Sequence, residues 1–97
     1  MDYEEFRAAA HRAYRQIADA SASAHGFIRI GDLRRAIGEA VSREAFDEYL
    51  LRLDHERVVS LMRGAAAGLT EEQRLGGVED PKAGLLLFVH WLEAKPR

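Results

Sequence analysis

Ninety-seven residues with 47% hydrophobic content are enough chain for one domain, 1–97, with a single core that needs no covalent staple. Fourteen Lys and Arg against sixteen Asp and Glu leave a formal charge of -2, so the molecule as a whole does not attract nucleic acid or anionic lipid, and any anion binding must come from local segregation of charge. The absence of cysteine excludes disulfides, thiolate zinc sites and cysteine nucleophiles together.

The opening MDYEEFRAAA is acidic and amphipathic where a signal peptide would be basic and then continuously apolar. No apolar run approaches the roughly 18 residues of a membrane span. A soluble cytoplasmic protein with no membrane partner is therefore expected. Asp2 to about Ala20 is expected to form the first helix, with Phe6, Ala10, Ala13, Tyr14 and Ile17 as its buried stripe. Asp2, Glu4 and Glu5 suit the helix dipole at its start. Arg7, His11 and Arg15, spaced by four, read as a solvated face or as a basic ridge, and solvation is the commoner fate of such charges. ASASAHG, Ala20 to Gly26, is a loop by composition.

Phe27 to Ile30 alternates as a short strand does, and Gly31-Asp32 then opens a second helix, Leu33 to about Glu39. Leu33 and Ile37 are expected to face inward, which turns Arg34 and Arg35 outward. Gly38 to Val41 makes a short turn, and Ser42 caps a third helix whose buried stripe is Phe46, Tyr49, Leu50 and Leu53. Subtraction leaves Arg43, Glu44, Asp47, Glu48, Leu51 and Arg52 exposed. Asp54 to Arg57 forms a polar corner, where consecutive side chains diverge and do not converge on one metal ion.

Val58 to Met62 is β-rich, with Val59 and Leu61 on one face, and Arg63-Gly64 ends it. After the small segment Ala65 to Gly68, Thr70-Glu71-Glu72-Gln73 has the pattern of a capping box and predicts one helical turn, stopped by Gly76-Gly77. Asp80 to Gly84 suits a type I turn followed by a bulge, leading into a final strand, Leu85 to Leu92. Strict alternation places Leu85, Leu87, Val89 and Trp91 on one of its faces and Leu86, Phe88 and Leu92 on the other.

Helix, strand GFIRI, helix DLRRAIG, helix VSREAFDEYLLRL, strand VVSLMR, connection, strand GLLLFVHWL: this order resembles the winged-helix superfamily over nearly the whole chain. The stretch IRIGDLRRAIGEAVSREAFDEYLLRLDHERVVSL, with LTEEQRLGGVED after it, is similar in pattern to small bacterial winged-helix domains. The resemblance implies an α+β fold, a three-helix core with a C-terminal β-hairpin wing and a short helical turn within the wing. It also implies a non-enzymatic regulator or accessory protein that contacts DNA, with Arg34, Arg35, Arg43, Arg52 and Arg63 as candidate backbone contacts. The sequence departs from a DNA-binding pattern in two places. The exposed side of the third helix is acidic, and the wing carries only Arg74 and Lys82. The alternative is a protein-interaction module using Glu44, Asp47 and Glu48, or the apolar last strand with Phe88 and Trp91. Surplus apolar surface on that strand also leads to the expectation of a homodimer with Phe88 or Trp91 at its interface.

Catalytic residue types occur without catalytic arrangements. His11, His25, His55 and His90 fall on different elements, and no G-x-S-x-G, P-loop, H-E-x-x-H or G-x-G-x-x-G string is present. His90, between Val89 and Trp91, lacks the orienting partner a general base requires and reads as a half-buried structural residue. Neither an enzyme nor a metal or cofactor is expected.

Overall fold

Apolar residues recurring once per turn define the first helix, α1 (Tyr3–Ala20), which buries Tyr3, Phe6, Ala10 and Tyr14 along one stripe. Its start is fixed by a reciprocal exchange. The Glu5 N–H donates to Asp2 Oδ1 at 2.8 Å, and the Asp2 N–H donates to Glu5 Oε1 at 2.9 Å, which satisfies backbone donors that a helix leaves unpaired. The computed structural model describes residues 1–20, 26–64 and 69–92. The loop expected over Ala20 to Gly26 and the small segment Ala65 to Gly68 fall on 21–25 and 65–68, outside the described residues, as does His25.

After β1 (Phe27–Arg29), α2 (Ile30–Ile37) begins three residues before the expected Leu33. Ile30 and Leu33, spaced by three, are both 0% exposed, so burying the pair draws Ile30 from the strand into the helix and leaves Gly31 and Asp32 inside its first turn. A 3-10 turn, Gly38–Ala40, leads to α3 (Arg43–His55). Ser42 caps α3 as expected, its Oγ accepting from the Ala45 N–H at 3.1 Å. Phe46, Leu50 and Leu53 are buried, and Tyr49 is half-buried with its hydroxyl donating to the Met1 carbonyl at 3.1 Å. Leu51, expected to be exposed, packs against the rim of the core.

Beyond α3 come β2 (Val59–Arg63), α4 (Glu71–Gly76), β3 (Val78–Asp80) and β4 (Gly84–Trp91). The capping box of α4 is complete: Thr70 Oγ1 accepts from the Gln73 N–H at 3.1 Å, and Gln73 Oε1 accepts from the Thr70 N–H at 3.0 Å. β3 was not anticipated, since three residues, VED, are too few to show a period. Between β3 and β4, Asp80 Oδ2 accepts from the Ala83 N–H at 2.7 Å, and Gly84 at φ 88 supplies the left-handed residue that closes the turn.

The fold is α+β, with a four-stranded antiparallel sheet ordered β1-β4-β2 and β3 paired to β4. Among the described residues no helix is long and apolar enough to cross a membrane. One irregularity decides which side chains of β4 reach the core. Met62 pairs with Phe88 but Arg63 pairs with Leu86, so β4 carries an extra residue, Leu87, at a bulge. Passing a bulge inverts the alternation. Leu86 therefore joins Val89 and Trp91 in the core, where strict alternation had put it on the opposite face. Trp91 is 8% exposed and stacks on His11 with ring centroids 4.7 Å apart, so it is corrected from an interface candidate to a core residue.

The turn from α3 into β2 stores strain. Arg57 sits at φ 64, a left-handed conformation in which a side chain costs about 1 kcal/mol and glycine costs almost nothing. Arg57→Gly should raise the denaturant midpoint without changing the slope of the transition, by about 1 kcal/mol of stability.

Candidate interaction site at the second and third helices

Arg34 follows the fully buried Leu33, so its side chain leaves α2 at the edge of the apolar stripe and turns along the protein instead of into solvent. Its Nη2 donates to Asp47 Oδ1 of α3 at 2.9 Å, to the Gly77 carbonyl at 2.8 Å and to the Gly76 carbonyl at 3.2 Å, and its Nε donates to Gly76 at 3.3 Å. The guanidinium carbon lies 4.4 Å from the centroid of the Phe46 ring. Among the described residues the buried Nη1 has no hydrogen-bond partner, so the stacking on Phe46 is the cation's remaining contact of note. With its side chain 17% exposed, Arg34 is corrected from an outward-facing phosphate contact to a clamp joining α2, α3 and the end of α4.

Two glycines make the clamp reachable. A Cβ on Gly76 would lie 3.0 Å from the Gly31 Cα, so α2 and α4 touch backbone to backbone there. At Gly77 a Cβ would lie 2.5 Å from the Leu86 carbonyl oxygen, which excludes any side chain unless the backbone moves. Arg43, in the first turn of α3, donates to the neighbouring Leu75 carbonyl and holds the same end of α4. These carbonyls close the C-terminal end of a helix, where unsatisfied oxygens and the dipole both favour a cation.

The other candidates are distributed as follows. Arg35 is exposed and paired with Asp32 one helical turn away. Arg52 donates from Nε to Glu56 Oε2 at 3.2 Å and lies 3.8 Å over the Tyr3 ring. Arg63 is exposed at the end of β2 and has no acidic partner among the described residues. Asp47 is taken by Arg34, whereas Glu44 and Glu48 remain exposed on α3, with Glu39 exposed in the turn before it. Phe88 is half-buried on the outer face of the sheet, between Arg29 and Met62 in the pairing. An open cleft of about 330 Å³ lies between the turn and the start of α3, floored by Phe46 and Val41 and edged by Arg34, Arg43 and Glu39.

A second polar junction fixes the opposite end of α3. The Tyr3 hydroxyl donates to Glu56 Oε1 at 2.7 Å. Burial, and then this bond to a carboxylate, push the Tyr3 phenol up to about 12. The same bond, followed by the one from Arg52, holds the Glu56 carboxyl below its usual range. Among the described residues no group of three metal-ligating side chains converges.

No family model, curated protein or solved structure matches this chain. Sequence reasoning missed the Arg34 clamp. Its one visible trace is the Gly76-Gly77 pair, which signals a close backbone approach as well as a helix stop.

Two measurements follow from these junctions. Arg34→Ala should lower stability by about 2 to 3 kcal/mol, because Asp47 and the two carbonyls lose a charged donor, and Arg34→Lys should recover only part of it because an ammonium lacks the planar fork and the flat face that lies over Phe46. Tyr3 favours its neutral form in the fold, with a pKa of about 12 against an ordinary 10.0, so its contribution is complete below pH 10 and is lost as pH rises toward 12. Alkaline absorbance should show a phenolate component near pH 12 that Tyr3→Phe removes, and the variant's stability should fall less steeply over that interval.

Proposed function

We propose that this chain is a winged-helix domain that binds a protein partner through the acidic exposed side of α3, and that it is not a DNA reader. The winged-helix reading is supported by the order of three helices around a first short strand, and by β4 lying between β1 and β2 in the sheet. The choice of ligand rests on one observation. The guanidinium of Arg34, one of the two candidates on the second helix for a phosphate backbone, is consumed by Asp47 and by the Gly76 and Gly77 carbonyls.

Electrostatics carries the same preference. A recognition helix brings its N-terminal half closest to a duplex, and here that half presents Glu44 and Glu48 while Arg43 is turned toward the Leu75 carbonyl. Each phosphate approaching α3 would meet like charge before it met a cation, which costs affinity where a DNA-binding protein gains it. A basic, partly apolar protein surface meets the opposite balance: Glu39, Glu44 and Glu48 supply charge, and the cleft floored by Phe46 and Val41 accepts an apolar side chain.

Anisotropy titration with a generic duplex at low salt should give no saturable binding. Affinity capture from the native host should retain a partner on the wild-type bait and lose it on a Glu44→Lys, Glu48→Lys bait of equal stability. Duplex binding that falls steeply with salt and is weakened by Arg35→Ala and Arg63→Ala would overturn the proposal in favour of DNA.

A further inference from the structure

β2 is the last strand in the order β1-β4-β2, so among the described residues one of its sides pairs with no other strand. The register shows which backbone groups face that side. The Leu92 N–H donates to the Val58 carbonyl at 2.9 Å, and Ser60 and Met62 lie opposite His90 and Phe88. Bonded and non-bonded pairs alternate in an antiparallel ladder, so Val58, Ser60 and Met62 turn their N–H and C=O groups toward β4, while Val59 and Leu61 turn theirs outward. The outward Leu61 N–H donates instead to Asp54 Oδ1, at 3.2 Å, from the last turn of α3.

That carboxylate is in an unfavourable place for itself. The C-terminal turn of a helix disfavours an anion, and among the described residues no cation forms an ion pair with Asp54. What it gains there is the edge of β2. We propose that the outer edge of β2 is a strand-pairing surface for a second copy of this chain, and that Asp54 holds it closed.

The occupant is argued from the strand itself. VSLMR laid antiparallel on its own copy about Leu61 sets Leu61 against Leu61, where each N–H can donate to the other's carbonyl. In the same register Val59 faces Arg63 and Ser60 faces Met62, so no like charges meet. Arg63, exposed and without an acidic partner among the described residues, then lies opposite the other copy's Val59, two residues along the strand from Leu61. The surface is separate from the acidic side of α3 and does not depend on the partner proposed there.

Asp54→Ala tests this on the full chain. Removing an anion from a helix C-terminus favours the helix, so the variant should fold, and its Leu61 N–H becomes available to a second strand. Sedimentation equilibrium should give a self-association constant at least about tenfold above that of the wild type. Amide exchange at Leu61 should be fast in the dilute variant and slow in the concentrated one, while in the wild type it should not vary with concentration. An unchanged association constant would overturn the proposal. So would tighter association with Leu61 exchange fast at every concentration, because pairing would then be through another face.

Discussion

A guanidinium held away from water must have its charge matched, and in this chain that requirement falls on Arg34. One carboxylate, two main-chain carbonyls and an aromatic face surround it, from two distant parts of the sequence: Asp47 and Phe46 from α3, Gly76 and Gly77 from the end of α4. A lone buried cation would cost several kcal/mol, so these partners are required together. The requirement spreads outward. α4 must end where its carbonyls meet Arg34, which needs glycine at 76 to let α2 approach, and glycine at 77 to clear the Leu86 carbonyl. The completed capping box at Thr70 and Gln73 then fixes the other end of the same short helix. Six residues could not hold a helix alone, and here capping at one end and a cation at the other replace the missing length.

The sheet has its own controlling irregularity. Without the bulge at Leu87, β4 would divide its apolar side chains evenly between two faces, and one of those faces would need cover from outside. With it, Leu86, Val89 and Trp91 all enter the core, together with Val59 and Val78 from the strands on either side. The outer face keeps Phe88 and His90, with Phe27 against His90 at 4.7 Å between ring centroids.

Elements with strong local signals were legible in the sequence. The stripes of α1 and α3, the Ser42 cap and the Thr70 to Gln73 box are decided within four residues of themselves, so spacing and residue type suffice. The features that went unread depend on distant residues. Ile30 enters α2 because the core accepts it beside Leu33, Leu86 changes face because of a register shift against β2, and Arg34 turns inward because carbonyls some forty positions later are waiting for it. Two arginines side by side on a short helix look alike in sequence. Only their neighbours in space separate Arg34, the clamp, from Arg35, paired at the surface with Asp32.

Charge allocation links the fold to the proposed function. α3 is fastened near its start by Arg34 and Arg43 and at its end by Glu56, whose carboxylate bridges Arg52 and the Tyr3 hydroxyl. Each fastening uses a cation internally, so Arg34, Arg43 and Arg52 hold the helix in place while Arg35 and Arg63 stay at the surface. Glu44 and Glu48 take part in none of these bonds and project from a helix that cannot easily shift. On the proposed reading this is the useful outcome: a partner meets acidic side chains on a backbone already held in its bound geometry, and less ordering entropy is lost on association. A mobile acidic helix with the same composition would present the same charges at a greater entropic cost. On the same reading, the contacts that engage Arg34 and Arg43 internally also hold in place the helix that carries Glu44 and Glu48.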